Sequence, residues 1–159
     1  MMKNTALITG ASSGIGRDLA HIHAENGGDL VVIARRKEKL EALKQELEQK
    51  HGIHVKIIAK DLASAEAAKE IYDELSQEKI AIDILINNAG FGGVGLFHQR
   101  KWETDKTMIE LNVMALTALT RYFLPHMVER KNGKILNVAS TAGFMPGPLQ
   151  AVYFATKSY

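Results

Sequence analysis

The sequence has no cysteine, which excludes disulfides and thiolate metal sites and permits a reducing compartment. It has little net charge. Twenty Lys and Arg against eighteen Asp and Glu leave a formal charge of +2, with no block of one sign, so no nucleic-acid partner is expected. No apolar run approaches the roughly 18 residues that a bilayer span needs. The opening "MMKNTALITG" lacks the apolar core of a signal peptide. A cytoplasmic protein with no membrane partner is the expectation. Six histidines are present, but none has metal-ligand spacing: His21 and His23 are two apart, and His51 and His54 flank a turn, where solvent is expected to meet them. The acids show no metal-loop pattern either, so no metal is expected. Only three prolines occur, and no linker or repeat divides the 159 residues, a length that suits one domain.

Short apolar runs alternate with longer amphipathic ones. The runs are "TALIT" (5–9), "LVVIA" (30–34), "VKIIA" (55–59), "IDILIN" (82–87) and "KILNVA" (134–139). Rich in Val and Ile and mostly continuous, they fit strands of a parallel sheet buried on both faces. Between them, Leu40, Leu43 and Leu47 form one helical stripe, with Lys37/Glu41 and Glu46/Lys50 as i,i+4 pairs outside. Ala68, Ile71, Tyr72 and Leu75 form another. The stretch 103–129 is apolar almost all round, predicting burial on more than one side, and Pro125 should kink or end it. Met108, Met114 and Met127 belong to core or interface. Strand–helix alternation of this kind predicts an α/β, doubly wound fold with right-handed crossovers.

"TGASSGIG" (9–16) leaves the first strand and opens a helix. Gly10 allows a tight turn, Gly14 a close backbone approach to a ligand, and Gly16 a close helix–sheet contact. The helix N-terminus beyond offers free N–H groups to a phosphate, and Ser12 and Ser13 add hydroxyls. An ordinary strand–helix turn explains the same glycines. The second strand ends in "ARRKEKL", where an NAD-preferring fold usually carries an acid. Arg35, Arg36 and Lys37 at a helix start oppose the macrodipole. A 2′-phosphate would make that cluster favourable, which points to NADP(H) before NAD(H); a solvated basic patch is the alternative.

The chain closes on "AVYFATKSY". Tyr153 and Lys157 are i,i+4, one above the other on a helix face. Free tyrosine titrates near pH 10, and a neighbouring cation favours the phenolate. Ser140 follows the last strand, at the carboxyl edge where such sheets bind ligands. Its hydroxyl could hydrogen-bond a developing alkoxide. Taken singly, the pair is a common helix-surface pattern, Ser140 a cap, and Asn112 a buried amide that needs partners whatever its task.

Taken together, "TGASSGIG", "DL" (61–62), "NNAG" (87–90), Asn112 in "LNV", Ser140 in "NVAS" and "YFATK" (153–157) resemble the classical short-chain dehydrogenase/reductase family over the whole chain. The resemblance implies a Rossmann-type sheet of order 3-2-1-4-5 and a single NAD(P)-binding domain over 1–159. It implies NADP(H)-dependent interconversion of a small-molecule alcohol and a ketone or aldehyde. Tyr153 would be the acid/base. Lys157 would hold the nicotinamide ribose, Ser140 would orient the substrate oxygen, and Asn112 would hold a relay water. Gly10, Ser12, Ser13, Gly14, Ile15 and Gly16 would cradle the cofactor, with Arg35, Arg36, Asp61, Leu62, Asn88, Ala89 and Gly90 along its cleft. Full-length members form homo-dimers or homo-tetramers.

The family pattern continues through two more strands, sixth and seventh, whereas this chain stops two residues after Lys157. The expectation is therefore an incomplete domain, with "KILNVA" as an open sheet edge and residues 150–159 poorly held. A non-catalytic nucleotide-binding or interaction fragment stays open beside the oxidoreductase. A methyltransferase on the same sheet would leave Ser140, Tyr153 and Lys157 without a purpose.

Overall fold

A computed structural model describes residues 4–159. Five parallel strands, β1 (Thr5–Thr9), β2 (Asp29–Ala34), β3 (Val55–Ala59), β4 (Ile84–Asn87) and β5 (Lys134–Asn137), form one sheet of order β3-β2-β1-β4-β5. Ala6 pairs with Leu30 on one side and Ile84 on the other. The chain winds outward from β1 to β3, then returns to place β4 against the other flank of β1.

Both faces of the central strands are buried, and the pleat divides their side chains. Ala6, Ile8, Leu30 and Val32 pack under α1 (Gly14–Glu25) and α2 (Lys37–His51), against Ala20, Leu40 and Leu47. Leu7, Val31, Ile33 and Leu85 face the opposite layer, against Ile71 and Leu75 of α3 (Ala67–Gln77) and Leu119 and Phe123 of α5 (Leu116–Glu129). Alternate residues of each strand thus feed different cores, which is why the runs read as continuously apolar. β5 differs: all four of its residues are exposed, leaving Ile135 and Leu136 on an open edge.

Several sequence expectations need correction. The long helical run is three segments, α4 (Trp102–Ile109), a π-helical stretch Glu110–Ala115, and α5. Of the two outcomes expected of Pro125, a kink or an end, the end does not occur, since α5 continues to Glu129. The proline lies on the exposed side, where the carbonyl it cannot bond can meet water. Glu46 takes Arg17 as its ion-pair partner in place of Lys50, accepting from Arg17 Nη2 at 2.9 Å and tying α2 to α1. His54 is exposed as expected, whereas His51 is half-buried, with its Nε2 enclosed and unpaired. Of the three methionines expected in core or interface, Met108 and Met127 are core and Met114 is exposed. Among the described residues, no helix is long and apolar enough to cross a membrane, and no cluster could hold a metal ion.

Candidate active site

The chain's change of winding direction opens a cleft at the carboxyl ends of β1 and β4. Thr9 fastens the two strand ends. Its Oγ1 accepts from the N–H groups of Asn88 and Ala89, both at 2.9 Å, and donates to Ile86 O. Asn88 Nδ2 donates to Thr9 O at 2.9 Å, returning the connection. Gly16 sits so close behind this seam that a β-carbon there would collide with Asn88 Nδ2 and the Gly10 carbonyl. Gly14, at φ +54°, faces open space. The glycine turn is therefore packed on its inner side and clear on its outer side, the shape a bound phosphate requires.

The cleft has a volume of about 610 Å³. Gly10, Ser12, Ser13, Ile15, Arg35, Arg36, Asp61 and Leu62 are among its lining residues. Asn88, Ala89, Gly90, Tyr153 and Lys157 line it as well. Arg36 Nη2 donates to both Ser12 Oγ and Ser13 Oγ at 3.2 Å, so the basic cluster and the serine hydroxyls converge on one spot. Asp61 Oδ1 accepts from Ala63 N, which fixes the turn after β3.

Tyr153 and Lys157 lie on α6 (Ala151–Ser158), one turn apart, and both enter the cleft. Lys157 Nζ donates to Val138 O at 3.1 Å, just past β5. The helix is held more firmly than its length suggested. Thr156 is buried, Ser158 Oγ bonds Gly143 O, and the Tyr159 and Thr117 hydroxyls meet at 2.7 Å. Side-chain hydrogen bonds supply what eight residues of helix cannot.

Asn112 and Ser140 do not line the cleft. Asn112 is buried in the π-helical stretch behind it. Its Nδ2 donates to Phe91 O and Thr156 Oγ1, both at 3.0 Å, and its Oδ1 accepts from Phe91 N at 3.2 Å. Both amide N–H groups are thereby engaged, leaving one Oδ1 lone pair for any water. A π-bulge at such a position is common beside functional sites, because the wider turn re-aims one side chain. Ser140 caps the short 3-10 turn Thr141–Gly143, with its Oγ accepting from Ala142 N at 3.2 Å. Sequence reasoning missed Lys60, Phe91, Leu111, Val138 and Ala139, which also line the cleft. Position just past β3, β4 and β5 was the available signal for all but Leu111.

The short chain dehydrogenase family model matches residues 4–158. The chain belongs to the short-chain dehydrogenase/reductase family. A NADP-dependent 3-hydroxy acid dehydrogenase of Salmonella typhi is 40% identical over 154 residues, covering 96% of this chain and 60% of that protein. A very-long-chain 3-oxoacyl-CoA reductase of Anas platyrhynchos is 36% identical over 160 residues, covering 97% and 50%. The structure of a short-chain dehydrogenase from Sphingobium yanoikuyae in complex with NADPH superimposes with a TM-score of 0.91 at 39% identity, covering 98% of this chain and 60% of that one. The chain thus spans half to three-fifths of the length of these relatives.

Proposed function

We propose that residues 1–159 form the cofactor-binding and acid/base part of an NADP(H)-dependent oxidoreductase that interconverts an alcohol and a ketone or aldehyde. One observation carries this reading: Tyr153 and Lys157 enter the same cleft as Ser12, Ser13 and Arg36. The clear outer side of the glycine turn fits a pyrophosphate, and the Arg36–serine cluster fits a 2′-phosphate. NADPH is the matching cofactor, with NADH disfavoured. Asp61 and Leu62 take the adenine end, and Gly90 and Lys157 the nicotinamide ribose.

When bound, the nicotinamide supplies or accepts the hydride. The chain's own part is the proton. In the reducing direction the Tyr153 phenol gives its proton to the carbonyl oxygen as the C–H bond forms at carbon. Solvent then restores the phenol. Lys157 stabilises the phenolate in between. Ser140 orients the substrate oxygen, after turning its hydroxyl from Ala142 N. Asn112 braces α6 and holds a water on its remaining lone pair. Homo-dimers or homo-tetramers of the full-length protein complete the proposal, which puts the protein in the cytoplasm.

The test is oxidation of NADPH at 340 nm on addition of carbonyl compounds to the full-length protein. Tyr153→Phe should lower kcat by about 10²–10⁴, the usual contribution of a positioned acid, while NADPH still binds. A variant that turns over like the parent would sink the assignment. Saturable NADPH binding with no turnover of any carbonyl would mark a binding module instead.

A further inference from the structure

Two segments beside α6 carry large apolar side chains that the fold leaves uncovered. Val94, Leu96 and Phe97 lie on the stretch leaving β4. Phe144, Met145 and Leu149 lie on the stretch leading into α6. They are between 47% and 86% exposed. A cluster of this kind marks a binding surface. The segments are joined, because Gly95 N donates to Leu149 O at 2.8 Å. They also reach Tyr153. Gly92 lies against its ring, where a β-carbon would stand 3.1 Å from Cδ2, and Leu149 lies just before the helix that carries it. Leu149 itself holds a left-handed φ of +63°, a strained state that concentrates at functional loops.

Charge is absent from both segments. No Asp, Glu, Lys, Arg or His occurs from 88 to 97 or from 138 to 152. Arg100 reaches under the first segment, where a β-carbon on Gly93 would come within 2.6 Å of its Nη2. Yet Arg100 Nε donates to Asp105 Oδ1 at 2.7 Å, and only 11% and 7% of the two side chains is exposed. The charge is thus already paired, and Nη2, although without a hydrogen-bond partner, is enclosed and out of reach of a substrate carboxylate or phosphate. His98 and Lys101 stand exposed past Phe97, outside the charge-free span.

We propose that this surface receives a bulky, uncharged apolar substituent of the carbonyl substrate, an alkyl chain or aryl ring, held between residues 91–97 and 144–149 while Tyr153 serves the oxygen. The proposal rests on the acid/base role assigned to Tyr153.

The experiment uses the full-length protein saturated with NADPH. kcat/KM should rise along 2-butanone, 2-hexanone and 2-octanone, by up to about fourfold per buried methylene, and 2-octanone should exceed 3-oxobutanoate and acetoacetyl-CoA at least tenfold. Val94→Asp and Phe144→Asp, both at exposed positions that leave the core intact, should lower kcat/KM tenfold or more for 2-octanone and distinctly less for 2-butanone. NADPH affinity should move less than twofold. A flat ketone series, a preference for either anionic substrate, or variants that slow all ketones alike would overturn the proposal. If no carbonyl turns over, the oxidoreductase reading fails by itself. Saturation-transfer NMR of 2-octanone on the NADP⁺-loaded protein then decides the apolar site separately. Transfer abolished by Val94→Asp supports it, and no transfer in the parent refutes it.

Discussion

Asn112 Nδ2 donates to Thr156 Oγ1 at 3.0 Å, joining the π-helical stretch to the helix that carries Tyr153 and Lys157. Both residues are about 95% buried and lie 44 positions apart in sequence. The same amide grips both the N–H and the carbonyl of Phe91, at the start of the apolar segment. Asn112 is therefore the point at which the loop after β4, the π-helical stretch and α6 are held together.

Thr156→Val keeps the shape and removes the hydroxyl. A buried N–H of Asn112 then lacks a partner, at a cost of about 1–3 kcal/mol. The urea midpoint should fall accordingly, with Thr156→Ser close to the parent. Equal midpoints for Val and Ser would show that the bond carries no net weight.

Arg36→Ala should weaken NADPH binding by about 10- to 150-fold, the equivalent of a charged hydrogen bond worth 1.5–3 kcal/mol. NADH binding should hardly change. Fluorescence titration of both nucleotides decides the point, and a parallel loss for the two would remove the 2′-phosphate role. The difference should shrink as salt rises, since Arg36 is exposed.

Arg100→Met strands the Asp105 carboxylate in a nearly closed site and should lower the unfolding midpoint sharply. Arg100→Met combined with Asp105→Leu should recover much of the loss, because the pair leaves together. Gly93→Ala keeps both charges but displaces the guanidinium, and should slow carbonyl reduction through Gly92 and Tyr153. Additive losses in the double variant would rule out pairing as the reason for burial.

The Arg17 hydrogen bond holds the Glu46 carboxyl below the usual carboxylate range, with burial opposing. A carboxylate lowered on folding contributes stability that is complete above its unfolded titration range and is lost as pH falls through the folded value. Glu46→Gln should therefore reduce the loss of stability between pH 6 and pH 3, measured as urea midpoints. An unchanged acid limb would show that solvent screens the pair fully.

Much of the architecture was legible in short stretches. β1 and β3 fall on the expected residues, and Leu40, Leu43 and Leu47 all point inward. Periodicity and turn chemistry are local, so a window of about a dozen residues carries them. The glycine turn was equally legible, since a β-carbon would crowd neighbours at Gly10 and Gly16 and Gly14 holds a positive φ, all within seven residues. What failed involved partners far away. The expected Glu46–Lys50 pair lost to Arg17, which lies 29 residues earlier. The expected loose ending of the chain lost to Thr117 and Gly143, which no helix pattern names.

By itself the sequence determined the strand–helix alternation, the tight glycine turn and the helical spacing of Tyr153 and Lys157, all consequences of neighbouring residues. Tertiary structure alone decided that Thr9 would fasten β1 to β4 across 79 residues and that a π-helical turn would aim Asn112 at Thr156. It also decided that Arg100 would be neutralised beneath a charge-free apolar surface. Those relationships depend on where the chain returns in space, and a hydrogen-bonding or charged group chooses its partner only once packing has removed water from around it.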